Sequence, residues 1–254
     1  MSSESIGKLD QLGPRALWRI YSVLLGAWLI ANATPHVVVA LTSGKIYYQL
    51  SPPLLLVTEA SLDLLNFLVP ILVVRFYFKE PVRQACGWDW TGWKVAVAGV
   101  AGFAVWLSLA LLLNRVTHNQ SIQYAPIGSG PFSRLDMQAM ALMLLVLPAA
   151  GEEMMFRGML QSYLTRFSGK VVGIAVPAIL FAVRHHPSDV YFARLNHASA
   201  AAWLNRFVGL YALAFILGFV RHRTRSSWAS WITHMLIIGT IIIVGHLWRP
   251  FLPG

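Results

Sequence analysis

Seven apolar runs, each at least 14 residues long, divide this chain and constrain its fold more than any other feature. A helix needs about 20 mainly apolar residues to cross a bilayer, fewer where protein surrounds it. Within the bilayer only a helix or a closed barrel satisfies its own backbone. The runs fall at Ala16–Leu41, Leu54–Phe78, Trp93–Leu113, Leu135–Leu164, Val171–Arg184, Phe207–Val220 and Trp228–Leu247. They predict an all-α, polytopic transmembrane bundle of about seven to eight helices with a water-accessible intramembrane cavity. Residues 1–254 read as a single integral membrane domain, with no repeat or second domain. Charge agrees: 12% of residues are charged and 57% hydrophobic, against about 25% charged in a soluble domain. One cysteine, Cys86, leaves no internal disulfide to read.

The net charge of +10 is distributed between the runs and not along one stripe, which points to topology and away from a nucleic-acid partner. With the N-terminus in the cytoplasm, segments on that side hold 13 of the 20 Lys and Arg residues, including Lys8, Arg75, Arg166 and Arg221. That excess places the N-terminus inside, in the plasma (inner) membrane if the source is bacterial. Met1 to Arg15 is polar without a small-residue cleavage site, so the first run reads as a retained anchor. Turn chemistry separates the runs at Ser51-Pro52-Pro53, Asn114 to Pro131, Ser168-Gly169 and His186-Pro187-Ser188. Pro187 to Asn205, with Tyr191, Phe192 and Trp203, reads as a loop or an interfacial lid.

The informative residues are ionisable ones inside apolar runs, where they are costly and tend to face the interior. The fourth run contains Gly151-Glu152-Glu153-Met154-Met155-Phe156-Arg157-Gly158. Residues four apart share a helix face, so Glu153 pairs with Arg157. Glu152, turned about 100° away, has no partner in its own helix. One carboxylate is neutralised locally and its neighbour is left to act elsewhere. Helical rise puts Glu152 about 20 Å, His185 about 22 Å and His234 about 12 Å from the cytoplasmic edge. An acid from the fourth helix and imidazoles from the fifth and seventh can therefore meet in one wet cavity. A structural reading, in which the acids only pair to hold helices together, competes with this. His36, His222 and His246 sit where interfacial residues are common, and His118 and His197 lie in polar stretches.

Three motifs in order carry a family resemblance: Glu152-Glu153-Met154-Met155-Phe156-Arg157-Gly158, then Phe181-Ala182-Val183-Arg184-His185, then His234. Together they resemble the CPBP intramembrane proteases, which include CAAX prenyl proteases and bacterial bacteriocin-processing and self-immunity proteins. The resemblance marks residues 135–247 as the catalytic core. It implies an intramembrane endopeptidase using a Glu/His-activated water, with Glu152, Glu153, Arg157, His185 and His234 as catalytic residues. It also implies His234 as an oxyanion stabiliser. The family's last motif carries Asn four residues after the histidine; here Ile238 stands at that position. A lost donor of that kind costs about 10²–10³ in rate, and neither Thr233 nor Thr240 occupies the matching face.

Burial makes a carboxylate a competent proton acceptor near neutral pH, which suits Glu152 and His185 as the water-activating pair. The residues leave cofactor use open: one divalent metal such as zinc held by Glu152, His185 and His234 with an open water position, or none. The partners expected are the lipid bilayer and a membrane-associated peptide or protein substrate. The alternative is a catalytically weakened or inactive membrane scaffold or immunity protein of the same fold, which Ile238 motivates. A proton-coupled transporter would also use mid-membrane Glu and His, but predicts repeated halves that the chain lacks.

Overall fold

The computed structural model describes residues 13–44, 52–118, 148–195 and 197–247, and among them every extended element is a helix. α1 spans Pro14–Ser43 and α2 Pro52–Leu72, which continues as a π-helical turn over Val73–Tyr77. A short α3, Val82–Ala85, precedes α4, Trp93–Val116. α5 covers residues 148–168 and α6 residues 170–195. α7, Ala200–Thr224, and α8, Ser227–Leu247, complete the set. The expected loop from Asn114 onward and the first half of the Leu135–Leu164 run lie largely outside the described residues.

Among the described residues, five helical stretches are long and apolar enough to cross a membrane: Pro14–Ser43, Val57–Tyr77, Trp93–Val116, Pro148–His186, which joins α5 and α6, and Ala200–Thr224. Their outer faces are apolar too. α1 buries a single stripe, Leu24, Ala27, Ala31, Pro35 and Val39, while Ile30 at 57% and Leu41 at 80% stay exposed. Apolar surface on this scale needs lipid to cover it. The chain is an integral membrane protein built as a helical bundle.

Pro35 and Pro70 stay inside their spans, α1 and α2, as expected, whereas Pro187 does not make the expected break: α6 runs through it to Leu195. The expected break at His186-Pro187-Ser188, and the loop or lid after it, is therefore mostly helix. A proline removes one backbone hydrogen bond, a loss that membrane helices absorb when neighbours pack around them. The Ser168-Gly169 turn, by contrast, is a true reversal. Gly169 sits at φ 82°, ψ 171°, and a Cβ on Gly173 would lie 2.7 Å from Thr165 Cα. Residues eight apart in one continuous helix stand about 12 Å apart along the axis, so α5 and α6 fold back on each other.

Small residues bring the site's helices together. A Cβ on Gly99 of α4 would stand 2.7 Å from Ile232 of α8, and the Thr233 hydroxyl donates to the Gly99 carbonyl at 2.8 Å. Close approach through small residues is the usual means of helix association in lipid, and here it fixes α8 at the turn that carries His234. A Cβ on Gly151 would strike the Asp63 carbonyl, so α5 and α2 pack with backbones nearly touching. α5 is tied to α7 by Arg157 Nη2 donating to the Ala214 carbonyl at 3.1 Å and Gln161 Nε2 to that of Gly218 at 2.7 Å.

Candidate active site

The site starts from a wide turn. Glu153–Leu160 is π-helical and every residue in it is buried. Such insertions concentrate at functional positions in helices. Glu153, 0% exposed, lies 3.4 Å from Arg157 Nη1, the pair that four-residue spacing suggests. Arg157 is held in turn by the Phe181 ring, whose centroid lies 4.9 Å from the guanidinium carbon, an arrangement that favours a cation over the ring face.

The two imidazoles arrive from other helices. His234 of α8 has its Nδ1 3.0 Å from Glu153 Oε1 and its Nε2 3.5 Å from Glu152 Oε2. It therefore spans both carboxylates. A carboxylate accepts only, so the Nδ1–H donates to Glu153 and Nε2 is aimed at Glu152. His185 of α6 has its Nδ1 2.9 Å from the Phe181 carbonyl. That carbonyl likewise only accepts, which places the proton on Nδ1 and the Nε2 lone pair toward Glu152 Oε1, 3.8 Å away. Both atoms are acceptors, so a water beside them can donate to either. Phe181 thus shapes the site twice, through its ring on Arg157 and its carbonyl on His185.

One expectation is corrected. Glu152 is not left unpaired: Arg184 Nη1 rests on its Oε1, and Arg184 Nη2 contacts Asp63 Oδ1 of α2 at 2.7 Å. The spacing rule could not find this triad, because its members lie on α5, α6 and α2. Burial of Arg157 and Arg184 also removes one cation from each side of the topology count, leaving 12 against 6 and the same bias. Asp63 was missed altogether, although it sits in the apolar Leu54–Phe78 run and the rule that singles out Glu152 applies to it equally.

The cluster holds three carboxylates, Asp63, Glu152 and Glu153, against two guanidiniums, Arg157 and Arg184. On these five side chains the acids outnumber the guanidiniums by one, and both imidazoles face the acids. Thr233 and Thr240 supply nothing here, since their hydroxyls donate to backbone carbonyls of Gly99, Ala229 and Leu236. Ile238 is half-buried. Cys86 lies outside the spans, fully buried, with its thiol pushed up to about 12 by desolvation; it carries no thiolate at neutral pH.

Among the described residues no group of three His, Cys, Asp or Glu side chains is arranged to hold a metal ion. The Arg184 guanidinium also occupies Glu152 Oε1, where a bound cation would meet like charge. The set does not fit a divalent ion. An apolar cavity of 420 Å³ between α4 and α7, lined by Val105, Phe215 and Phe219, lies apart from this cluster.

These features converge on a stretch that comparison with known families also selects. Residues 135–239 match a family described as Rce1-like, type II CAAX prenyl endopeptidase. The match covers about two fifths of the chain and includes both glutamates, Arg157, the Phe181–His185 motif and His234. It agrees with the resemblance to the CPBP and CAAX proteases. No curated protein and no solved structure matches the chain.

Proposed function

We propose that this chain is an intramembrane endopeptidase that hydrolyses a peptide bond in a membrane-associated substrate. The observation that carries the reading is the Glu152 carboxylate set between two imidazole Nε2 atoms, His185 at 3.8 Å and His234 at 3.5 Å, on three different helices. Water held between Glu152 and His185 loses its proton to that pair as it attacks the scissile carbonyl. The same pair returns the proton to the leaving amine. His234, oriented by Glu153 and placed beside Glu152, is the group that stabilises the oxyanion. Arg157 fixes Glu153, and through it the ring of His234. Glu152, Glu153, Arg157, His185 and His234 form the working set, within a catalytic core over residues 135–247.

A prenylated CAAX-type C-terminus is the substrate class that the family match favours. The bias of basic residues supports a cytoplasmic N-terminus. The deciding experiment compares membranes carrying the wild-type chain with Glu152→Ala and His185→Ala variants by peptidomics. A set of C-terminally trimmed peptides that disappears in both variants is the expected result. Full cellular function in both, at normal expression, would overturn hydrolysis and leave the scaffold or immunity reading, for which Ile238 in place of the family's Asn is the supporting observation.

A further inference from the structure

We infer that Asp63 is a positioning residue for Glu152: by taking one arm of the Arg184 guanidinium it prevents that group from closing on both oxygens of the Glu152 carboxylate. The inference rests on the hydrolytic reading above, and extends the site to α2, outside the residues that match the family.

The argument begins with guanidinium geometry. Arginine presents a rigid planar fork whose two arms fit the two oxygens of one carboxylate. In a buried site with a single carboxylate, that bidentate pairing is the arrangement to expect. Arg184 is divided instead. Nη2 lies 2.7 Å from Asp63 Oδ1, and Nη1 rests on Glu152 Oε1. Glu152 Oε2 is thereby left to His234 Nε2 at 3.5 Å. All three members of the clamp have side chains no more than 7% exposed, so water does not compete for the fork.

The placement is built into the fold. Gly151, next to Glu152, lets the α2 backbone approach so closely that a Cβ would strike the Asp63 carbonyl. Asn66, one turn on along α2, is buried beside the same glycine and hydrogen-bonds Asn32 of α1. Further out, His36 of α1 and Glu59 of α2 belong to the same electrostatic neighbourhood as Arg184. Asp63 therefore reaches the fork from a helix whose register is pinned.

If Asp63 loses its charge, the free arm swings to Glu152 Oε2. Both oxygens are then engaged by one cation, and the carboxylate is a poorer acceptor turned away from His234. Substrate contacts are untouched, so the loss falls on kcat. A fluorogenic prenylated CAAX peptide, cleaved by the purified full-length chain in lipid nanodiscs, is the probe. Asp63→Asn is expected to lower kcat roughly 10-fold or more, the scale of a misplaced catalytic group, with KM nearly unchanged. Adding Arg184→Lys to Asp63→Asn is expected to recover part of kcat, since an ammonium is a point charge without a fork. Unchanged kcat in Asp63→Asn, or a double variant slower than the single one, overturns the clamp. A crystal structure of Asp63→Asn tests it without activity: both Nη atoms of Arg184 on the two Glu152 oxygens support it, and a guanidinium still divided between position 63 and Glu152 refutes it. A wild-type chain that cleaves no peptide would remove the hydrolytic reading, while that structure still decides the clamp.

Discussion

Two ion-pair clusters lie on α5, at its middle and near its end at the Gly169 turn, and they answer to different physics. Near the turn, Arg166 meets Glu80 at 2.5 Å, with the Tyr163 hydroxyl donating to the same carboxylate at 3.1 Å; the two charged side chains remain 28% and 30% exposed. In the middle, Glu152, Glu153, Arg157, Arg184 and Asp63 are almost wholly buried. A half-exposed pair keeps part of its hydration and contributes little. A buried cluster costs several kcal/mol per ion to desolvate, and apolar residues would often serve stability as well. Charge thus sits where it is most expensive, which the proposed chemistry at the central cluster would account for.

Breaking the central cluster should have the largest effect. Arg157→Met leaves Glu153 buried without its cation, and loss of one partner of such a pair costs about 3–5 kcal/mol. The expected result is a marked fall in the unfolding midpoint in detergent, accompanied by loss of peptidase activity because Glu153 no longer orients His234. An unchanged midpoint would mean the cluster is wetter than its burial implies. Gly151→Ala comes next. Its Cβ must push the Asp63 carbonyl away, an overpacking cost of about 1–3 kcal/mol offset by roughly 1 kcal/mol of helix propensity. Activity is expected to fall more than stability, measured as kcat against the unfolding midpoint of the same preparation, because the shift separates α2 from Glu152.

The contrast also marks what the sequence could disclose. Spacing within one helix exposed the Glu153–Arg157 pair, because four residues fix a shared face whether the turn is α or slightly wider. The Glu152–Arg184–Asp63 arrangement was hidden, since it depends on how α2, α5 and α6 meet and no periodicity encodes that. Asp63 nonetheless carried a usable signal, an acid inside an apolar run, which went unused beside the louder double-glutamate motif. Spans were legible from hydropathy. Several ends agree closely, as Trp228–Leu247 does with Ser227–Leu247, but Ser168-Gly169 and His186-Pro187 read alike, and Pro187 is absorbed into α6 while Gly169, free to take a positive φ, turns the chain.

Charge removal at the cluster near the turn sharpens the comparison from the other side. Glu80→Gln keeps the shape of the side chain and an acceptor for Tyr163, and loses an ion pair worth roughly 0.2–1 kcal/mol. Its midpoint should move little and its kcat not at all. A large loss of activity there would show that the two clusters are coupled along α5, contrary to the division drawn between them.

Cys86 provides the smallest expected effect and a control for the rest. Its thiol is fully buried, held near 12 by desolvation, and the reactive form is the thiolate. Because the folded value lies above the ordinary one, the neutral thiol persists through the physiological range, and ionisation sets in only as the pH climbs toward 12. A maleimide applied to the folded chain at pH 7 should therefore leave both mass and peptidase rate unchanged. Labelling should appear as the chain unfolds and desolvation is relieved, which makes the modification rate a second measure of the Arg157→Met destabilisation. Rapid labelling of the native chain, with or without loss of activity, would show that the loop around α3 opens far more readily than the burial of Cys86 allows.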